Sequence, residues 1–101
     1  MAKFIFILRR DPSGLSPEER KTLEAAFPGE ELKLQRIDPV DYADHLSICL
    51  THRPDFVLLP KEKPILLDAM REGFSHLTFD ADGKLHKVIS IEVQLTPFPP
   101  H

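Results

Sequence analysis

Apolar residues along this chain form short continuous runs, and the segments between the runs have helical spacing. The runs "FIFIL" (residues 4–8) and "FVLL" (residues 56–59) are rich in aromatic and β-branched types. Such runs are typical of strands that are buried on both faces of a parallel sheet. Between them, "ELKLQRI" (residues 31–37) alternates leucines with charged or polar residues, the pattern of a half-exposed edge strand. The pattern predicts two central strands and one edge strand.

A first helix is predicted after the first strand. Ser16 stands before Pro17, and Glu19 follows three residues after Ser16, which is the arrangement of a capping box with proline at the first helical position. Pro28 and Gly29 end the helix. Its apolar stripe is thin.

Two further helices are predicted from proline and capping signals. The second begins with Asp38 as its N-cap and runs to about Thr51, because the Arg53–Pro54 step disfavours helical geometry. The third covers residues 64–71.

A hairpin is predicted in the last third of the chain, with its turn at residues 80–84. The strand after the turn is predicted to place alternate apolar residues on one face. These residues are Leu85, Ile89, Ile91, Val93 and Leu95.

Strands and helices therefore alternate along the chain, which predicts the α/β class. With strands numbered along the chain, we expect a small three-layer Rossmann-like sheet, a flavodoxin-like half, in the order 2-1-3-4 with an antiparallel hairpin strand at its edge. One domain spans residues 1–101, with a proline-rich tail from about residue 96.

A homodimer is predicted from the handedness of the crossovers. Right-handed connections place the first helix alone on one sheet face and the other two helices on the opposite face. That helix offers only Leu23, Ala26 and Phe27 as an apolar cover. The uncovered part of the face would then serve as a two-fold interface.

Charge and composition exclude several classes of function. The formal net charge is −3 and the isoelectric point is near 5.9, so no extended nucleic-acid surface is expected. No apolar run approaches the roughly 20 residues of a membrane helix. A single cysteine, Cys49, and the lack of a signal-peptide pattern predict a cytoplasmic protein without disulfides.

An anion site is predicted where the strand order reverses, at the carboxyl ends of the first and third strands. Five residues are candidate ligands there: Arg9, Arg10, Ser13, Lys61 and Lys63. Cations beside a helix N-terminus can hold a phosphate or carboxylate group. Two points favour an alternative. Pro64 lacks the backbone N–H that such a site would use. Lys61 and Lys63 would then be solvated surface charges beside Glu62.

Histidines give two further candidates. His76 begins the fourth strand and would be a general acid or base if it shared a pocket with the cations. On the second helix, His45, Cys49 and His52 have the i, i+4, i+7 spacing of one helical face, but a free cysteine is far more often buried for packing alone. We therefore expect no metal and no cofactor.

No dinucleotide, P-loop or nucleophile-elbow motif is present. By fold analogy, a small Rossmann-like homodimer with cations at its strand ends is similar to the nucleotide-sensing domains and compact ring nucleases of CRISPR systems. The hypothesis is a nucleotide- or phosphate-binding module, with slow phosphodiester cleavage as an additional activity. The alternative is a non-enzymatic regulatory or protein-interaction module, so the sequence leaves catalysis open.

Overall fold

The computed structural model describes residues 1–59, 74–88 and 95–98. These residues form a six-stranded sheet and two α-helices, with a 3-10 turn at Pro12–Gly14. The strands are β1 (Ala2–Leu8), β2 (Glu31–Ile37), β3 (Phe56–Leu59), β4 (His76–Phe79), β5 (Leu85–Val88) and β6 (Leu95–Pro97), and the helices are α1 (Pro17–Ala26) and α2 (Tyr42–His52).

The sheet has the strand order β2-β1-β3-β4-β5-β6. The pairs from β2 to β4 are parallel, and β4–β5 and β5–β6 are antiparallel. The α/β class and the predicted order 2-1-3-4 are therefore confirmed. The predicted edge position of the hairpin strand is wrong, because the chain returns as β6 and pairs with the outer side of β5.

Strands β1 and β3 are central, as their apolar runs predicted. Ile5, Ile7, Val57 and Leu59 are all buried. Alternate residues of the two strands point to opposite faces of the sheet, so each strand contributes to two separate apolar clusters. On one face, Leu23 and Phe27 of α1 pack with the cluster Ile5, Ile7, Leu58, Leu77, Phe79 and Leu85.

Helix α2 packs on the opposite face of the sheet. Cys49 of α2 belongs to a second cluster with Phe6 and Val57, and Ile48 packs against the edge of that cluster. Helices α1 and α2 thus pack on opposite faces of the sheet among the residues that the structure describes, and the three-layer Rossmann-like arrangement stays a prediction.

The N-terminus of α1 is the predicted capping box. The Ser16 hydroxyl accepts a hydrogen bond from the Glu19 N–H at 3.1 Å, and the Glu19 carboxylate accepts one from the Ser16 N–H at 2.9 Å. Two backbone donors at the helix start are satisfied in this way.

The predicted N-cap of α2 is wrong by three residues. Asp38 does not cap the helix, because its carboxylate accepts a hydrogen bond from the Arg36 side chain at 3.0 Å. Asp41 caps the helix instead, accepting from the Asp44 N–H at 2.9 Å, and the Asp44 carboxylate accepts from the Val40 N–H. The helix ends at His52, close to the predicted end.

Asp55 fixes the start of the β1–β3 pairing. Its carboxylate accepts a hydrogen bond from the Phe4 N–H at 2.8 Å, and its own N–H donates to the Phe4 carbonyl at 2.8 Å. Asp55 thus joins Phe4 through both its backbone and its side chain, one residue before β3 begins.

The sheet face beside α1 is covered within one chain, which removes the argument used for the homodimer. Leu58, Leu77, Phe79 and Leu85 are at most 3% exposed. Phe98, beyond β6, closes this face: its ring is tilted against Phe27 and edge-on to Phe56, with ring centroids 5.5 and 5.4 Å apart. The dimer therefore stays a prediction without that support.

Several predicted features lie outside the described residues. They are the third helix (residues 64–71) and the positions Ile89, Ile91 and Val93 of the terminal strand. Within the described ranges, no helix is long and apolar enough to cross a membrane.

We predict that Leu58→Ala lowers the free energy of unfolding by about 2–5 kcal/mol, because it removes a buried side chain and leaves a cavity. Leu50→Ala on α2 is the matched control, since Leu50 is 41% exposed, and we expect it to cost less than about 1 kcal/mol. Urea unfolding measures both values. Equal losses in the two variants would contradict the core assignment.

Candidate functional site

The carboxyl edge between β1 and β3 is the point at which the strand order reverses. From β1 the chain passes through α1 to β2 on one side, whereas β3 pairs on the other side of β1 after α2. Ligands of open α/β sheets bind in the crevice outside such a point. We therefore begin with the residues that leave β1 there.

Arg9 is the first residue after β1 and has a left-handed backbone conformation, with φ of 55°. This conformation costs a residue with a side chain roughly 1–2 kcal/mol. Two contacts hold it: the Arg9 N–H donates to the carbonyl of Ile37, the last residue of β2, at 2.8 Å, and the guanidinium donates to the Pro39 carbonyl beyond β2 at 3.1 Å. The side chain is exposed, so its remaining N–H groups can reach a ligand.

Arg10 is turned away from Arg9 and binds α1. Its guanidinium donates to both Glu19 carboxylate oxygens, at 3.0 and 2.6 Å, and to the Gly14 carbonyl at 2.7 Å. The Glu19 carboxyl is buried, and the hydrogen bond from Arg10 lowers its pKa to about 2. The bidentate pair is strong and joins the end of β1 to the start of α1. Arg10 therefore has a structural partner that competes with any ligand.

The remaining predicted anion ligands are only partly described. Ser13 lies exposed in the 3-10 turn that follows Arg10. Lys61 and Lys63 lie outside the described residues. A third arginine, Arg36 at the end of β2, is neutralised by Asp38 and Asp11 at 3.0 and 3.3 Å. Arg9 is thus the arginine at this edge whose guanidinium has no carboxylate partner among the described residues.

His76 lies away from this edge, at the first position of β4 and on the face that α2 covers. It is 0% exposed. Its Nδ1 is 3.0 Å from the Phe74 carbonyl, and because a carbonyl oxygen only accepts, Nδ1 carries the proton. The Nε2 atom therefore has a free lone pair, and it faces Nε2 of His45 at 3.4 Å. A substrate has no access to this ring in the structure.

The three metal-capable residues of α2 do not share one environment. His45 and Cys49 are buried, with 3.6 Å between the His45 Nε2 and the Cys49 Sγ atoms. His52, at the end of the helix, is exposed and lies edge-on to Phe6. In the part of the chain that the structure describes, no ready-made group of three or more metal-ligating side chains is present.

Burial makes His45, His76 and Cys49 uncharged at neutral pH. The pKa of His76 falls to about 4, because its ring is desolvated and lies beside His45. Desolvation also lowers the pKa of His45 and raises the pKa of the Cys49 thiol to about 11. The sequence did not indicate the contact between His45 and His76, because it depends on how α2 and β4 meet across the sheet.

The Asp80–His86 pair belongs to the hairpin turn. One Asp80 oxygen accepts from the Asp82 and Lys84 N–H groups at 2.8 and 2.9 Å, and the other lies 2.7 Å from His86 Nε2. An open groove between this turn and α1 is lined by Glu18, among other residues. The Asp80 carboxylate is occupied by the turn, so we assign it a structural role.

Comparisons with protein-family models, with curated proteins and with solved structures gave no match for this chain.

We predict that Glu19→Gln lowers stability at pH 7 and flattens the acid limb of the stability curve. The folded state favours the Glu19 carboxylate, so its contribution is complete above pH 4.5 and is lost as the pH falls toward about 2. We expect on the order of 1–3 kcal/mol, reduced by the partial exposure of Arg10.

Glu24→Gln is the control for this change, because Glu24 is exposed and pairs with Arg20 on the surface of α1. Urea unfolding between pH 2 and 7 measures both variants. Parallel curves for wild type and Glu19→Gln would show that the Arg10 pair contributes nothing.

Proposed function

We propose that the protein is a small ligand-binding module that takes a nucleotide or another phosphate-bearing ligand at the carboxyl edge between β1 and β3. The observation that carries the proposal is the exposed Arg9 guanidinium at the switch point of the sheet. A guanidinium forms charge-assisted, bidentate hydrogen bonds with phosphate oxygens, so it suits this class of ligand.

The register of β1 and β3 supports a site made from both strands. Ile7 is paired with Leu58, so β1 and β3 end at the same level of the sheet. Lys61 and Lys63 come two and four residues after the end of β3 in the sequence. In our proposal these lysines join Arg9 and Ser13 as ligands.

The described geometry favours binding over chemistry. His76 was the candidate acid or base, and its ring is buried beside His45. Phosphodiester cleavage similar to that of ring nucleases would therefore need another acid or base at the carboxyl edge. We accordingly propose binding as the primary function and cleavage as a secondary activity to be tested with the same ligands.

One surface feature favours the rival function, a regulatory or protein-interaction module. Val40 and Tyr42 at the start of α2 are 84% and 48% exposed. Large apolar side chains that lie close together on a surface often mark a contact with another protein.

A homodimer through this or another surface is part of the proposal, since two copies of the carboxyl edge between β1 and β3 would double the positive charge offered to a ligand.

We predict that Arg9→Ala weakens ligand binding about tenfold to 150-fold, the equivalent of losing one charge-assisted hydrogen bond of about 1.5–3 kcal/mol. Calorimetric titration with inorganic phosphate, mononucleotides, dinucleotides and cyclic oligonucleotides identifies the ligand and measures the change. The same samples, analysed by chromatography after incubation, report cleavage.

Arg20→Ala is the control for Arg9→Ala, because Arg20 is an exposed arginine on α1 that pairs with Glu24. We expect it to bind as wild type does. Equal weakening in both variants would indicate a non-specific charge effect and contradict the site. If none of the ligands binds, and if Val40→Ser with Tyr42→Ser abolishes a protein contact, the rival function is favoured.

The homodimer has its own measurement. Sedimentation equilibrium at tens of micromolar protein is expected to give twice the chain mass of 11.5 kDa. A monomer mass would contradict the homodimer and leave a ligand site built from one chain.

A further inference from the structure

The histidine pair between α2 and β4 is buried without adequate hydrogen bonding. His45 and His76 are 1% and 0% exposed. Their Nε2 atoms are 3.4 Å apart, longer than the 2.7–3.2 Å range typical of nitrogen donors. Nδ1 of His45 has no partner among the described residues, and an ion at Nε2 would not supply one. The case for an ion therefore rests on the two facing Nε2 atoms, whose burial with one long contact is costly unless another partner compensates.

The orientation of His76 is the one that metal-binding histidines have. Its Nδ1–H donates to the Phe74 carbonyl, and this bond directs the Nε2 lone pair toward His45. A backbone carbonyl on the outer ring nitrogen is the usual means by which a ligating imidazole is fixed.

Two distances match two edges of a tetrahedral metal site, and both edges end at the His45 Nε2 atom. Tetrahedral ligands at about 2.0–2.1 Å for nitrogen and about 2.3 Å for sulfur are separated by roughly 3.3–3.4 Å between two nitrogens and roughly 3.5–3.6 Å between nitrogen and sulfur. The two Nε2 atoms of His45 and His76 are 3.4 Å apart, and the Cys49 Sγ is 3.6 Å from the His45 Nε2. Both distances are edges of such a tetrahedron.

We propose that His45 Nε2, His76 Nε2 and the Cys49 thiolate bind one d¹⁰ ion, either three-coordinate Cu⁺ or four-coordinate Zn²⁺ with a water molecule as its fourth ligand. No ready-made three-ligand group exists among the described residues, so Cys49 turns toward His76 about its Cα–Cβ bond when the ion binds. The reaction is an exchange without redox change: the thiol releases one proton, and the sulfur and two neutral imidazoles donate electron pairs to the ion. Imidazole and thiolate ligands suit both ions.

This site changes the expectation of no metal that the sequence gave. The sequence pattern offered only the residues of one helix, whereas the structure replaces the exposed His52 with His76 from β4. The ion would tie α2 to the sheet, so its role is structural. It is independent of the anion site, because neither His45 nor His76 lies among the proposed anion ligands.

The test begins with wild-type protein stripped with a chelator and then titrated separately with Zn²⁺, with Co²⁺ as a spectroscopic probe, and with Cu⁺ under anaerobic conditions. We expect one ion per chain and a raised melting temperature, because the ion binds the folded state. Co²⁺ is expected to give the visible bands of a tetrahedral site and a thiolate-to-metal charge-transfer band in the near ultraviolet.

Three variants assign the ligands. Cys49→Ser is expected to remove the charge-transfer band and to weaken binding at least tenfold. His76→Gln is expected to abolish stoichiometric binding. His52→Gln is the matched control, since it removes an exposed histidine from the same helix, and it is expected to bind as wild type does. Equal loss in His52→Gln and His76→Gln would overturn the proposal.

A measurement on the wild type keeps the proposal testable if a variant fails to fold. Nitrogen-15 chemical shifts of the histidine rings report whether each Nε2 atom carries a proton, a lone pair or a metal. Large shifts of the His45 and His76 Nε2 resonances at one equivalent of Zn²⁺ or Cu⁺ are expected. Unchanged shifts in excess metal would show a neutral histidine pair that binds no ion, and would overturn the proposal.

Discussion

The structure depends on the parallel pairing of β1 with β2 on one side and with β3 on the other. This pairing places a strand with five consecutive apolar residues between two neighbours and buries Ile5, Phe6 and Ile7. A strand of this kind must be covered on both faces, because exposure of either face would place large apolar side chains in water. The positions of α1 and α2 on opposite faces follow from that requirement.

The same pairing determines where chemistry is available. The order 2-1-3 creates a crevice at the carboxyl ends, and there the chain continues with two arginines. Their roles differ because the segments that they contact differ. Arg10 satisfies the buried carboxylate of α1, whereas Arg9 is held by backbone carbonyls and has no carboxylate partner in the part of the chain that the structure describes. One helix cap therefore decides which arginine can serve a ligand.

Local signals in the sequence predicted the elements well where competing side chains left the predicted contact in place. The Glu19 carboxylate also binds Arg10, but its Oε1 atom accepts from the Ser16 N–H as well, so the capping box forms and α1 begins as predicted. At Asp38 the rule failed because Arg36, two residues earlier, binds the carboxylate that would cap the helix. A prediction of helix caps from residue types along the sequence does not include such competition between side chains.

Relations between distant parts of the chain were harder to predict. The cover over the face beside α1 includes Phe98, a residue of the proline-rich tail, so the helix stripe alone gave too little apolar area. The proximity of His76 to His45 depends on where α2 ends and β4 starts. The residues next to these two ends are also in contact, because the Arg53 guanidinium lies 6.0 Å from the centre of the Phe74 ring. Such contacts are set by tertiary packing, which a one-dimensional pattern does not contain.

The double contact between Asp55 and Phe4 has a consequence for which structure the sheet adopts. Because β1 is apolar on both faces, its hydrophobic pattern alone discriminates poorly between pairings shifted by one residue, and such a shift would exchange the two faces of the strand. A shifted β3 would leave the Asp55 carboxylate without the Phe4 N–H and would move Val57 from one apolar cluster toward the other. The Asp55 side chain, one residue before β3, thus sets the register between β1 and β3, which the apolar side chains of the two strands do not determine alone.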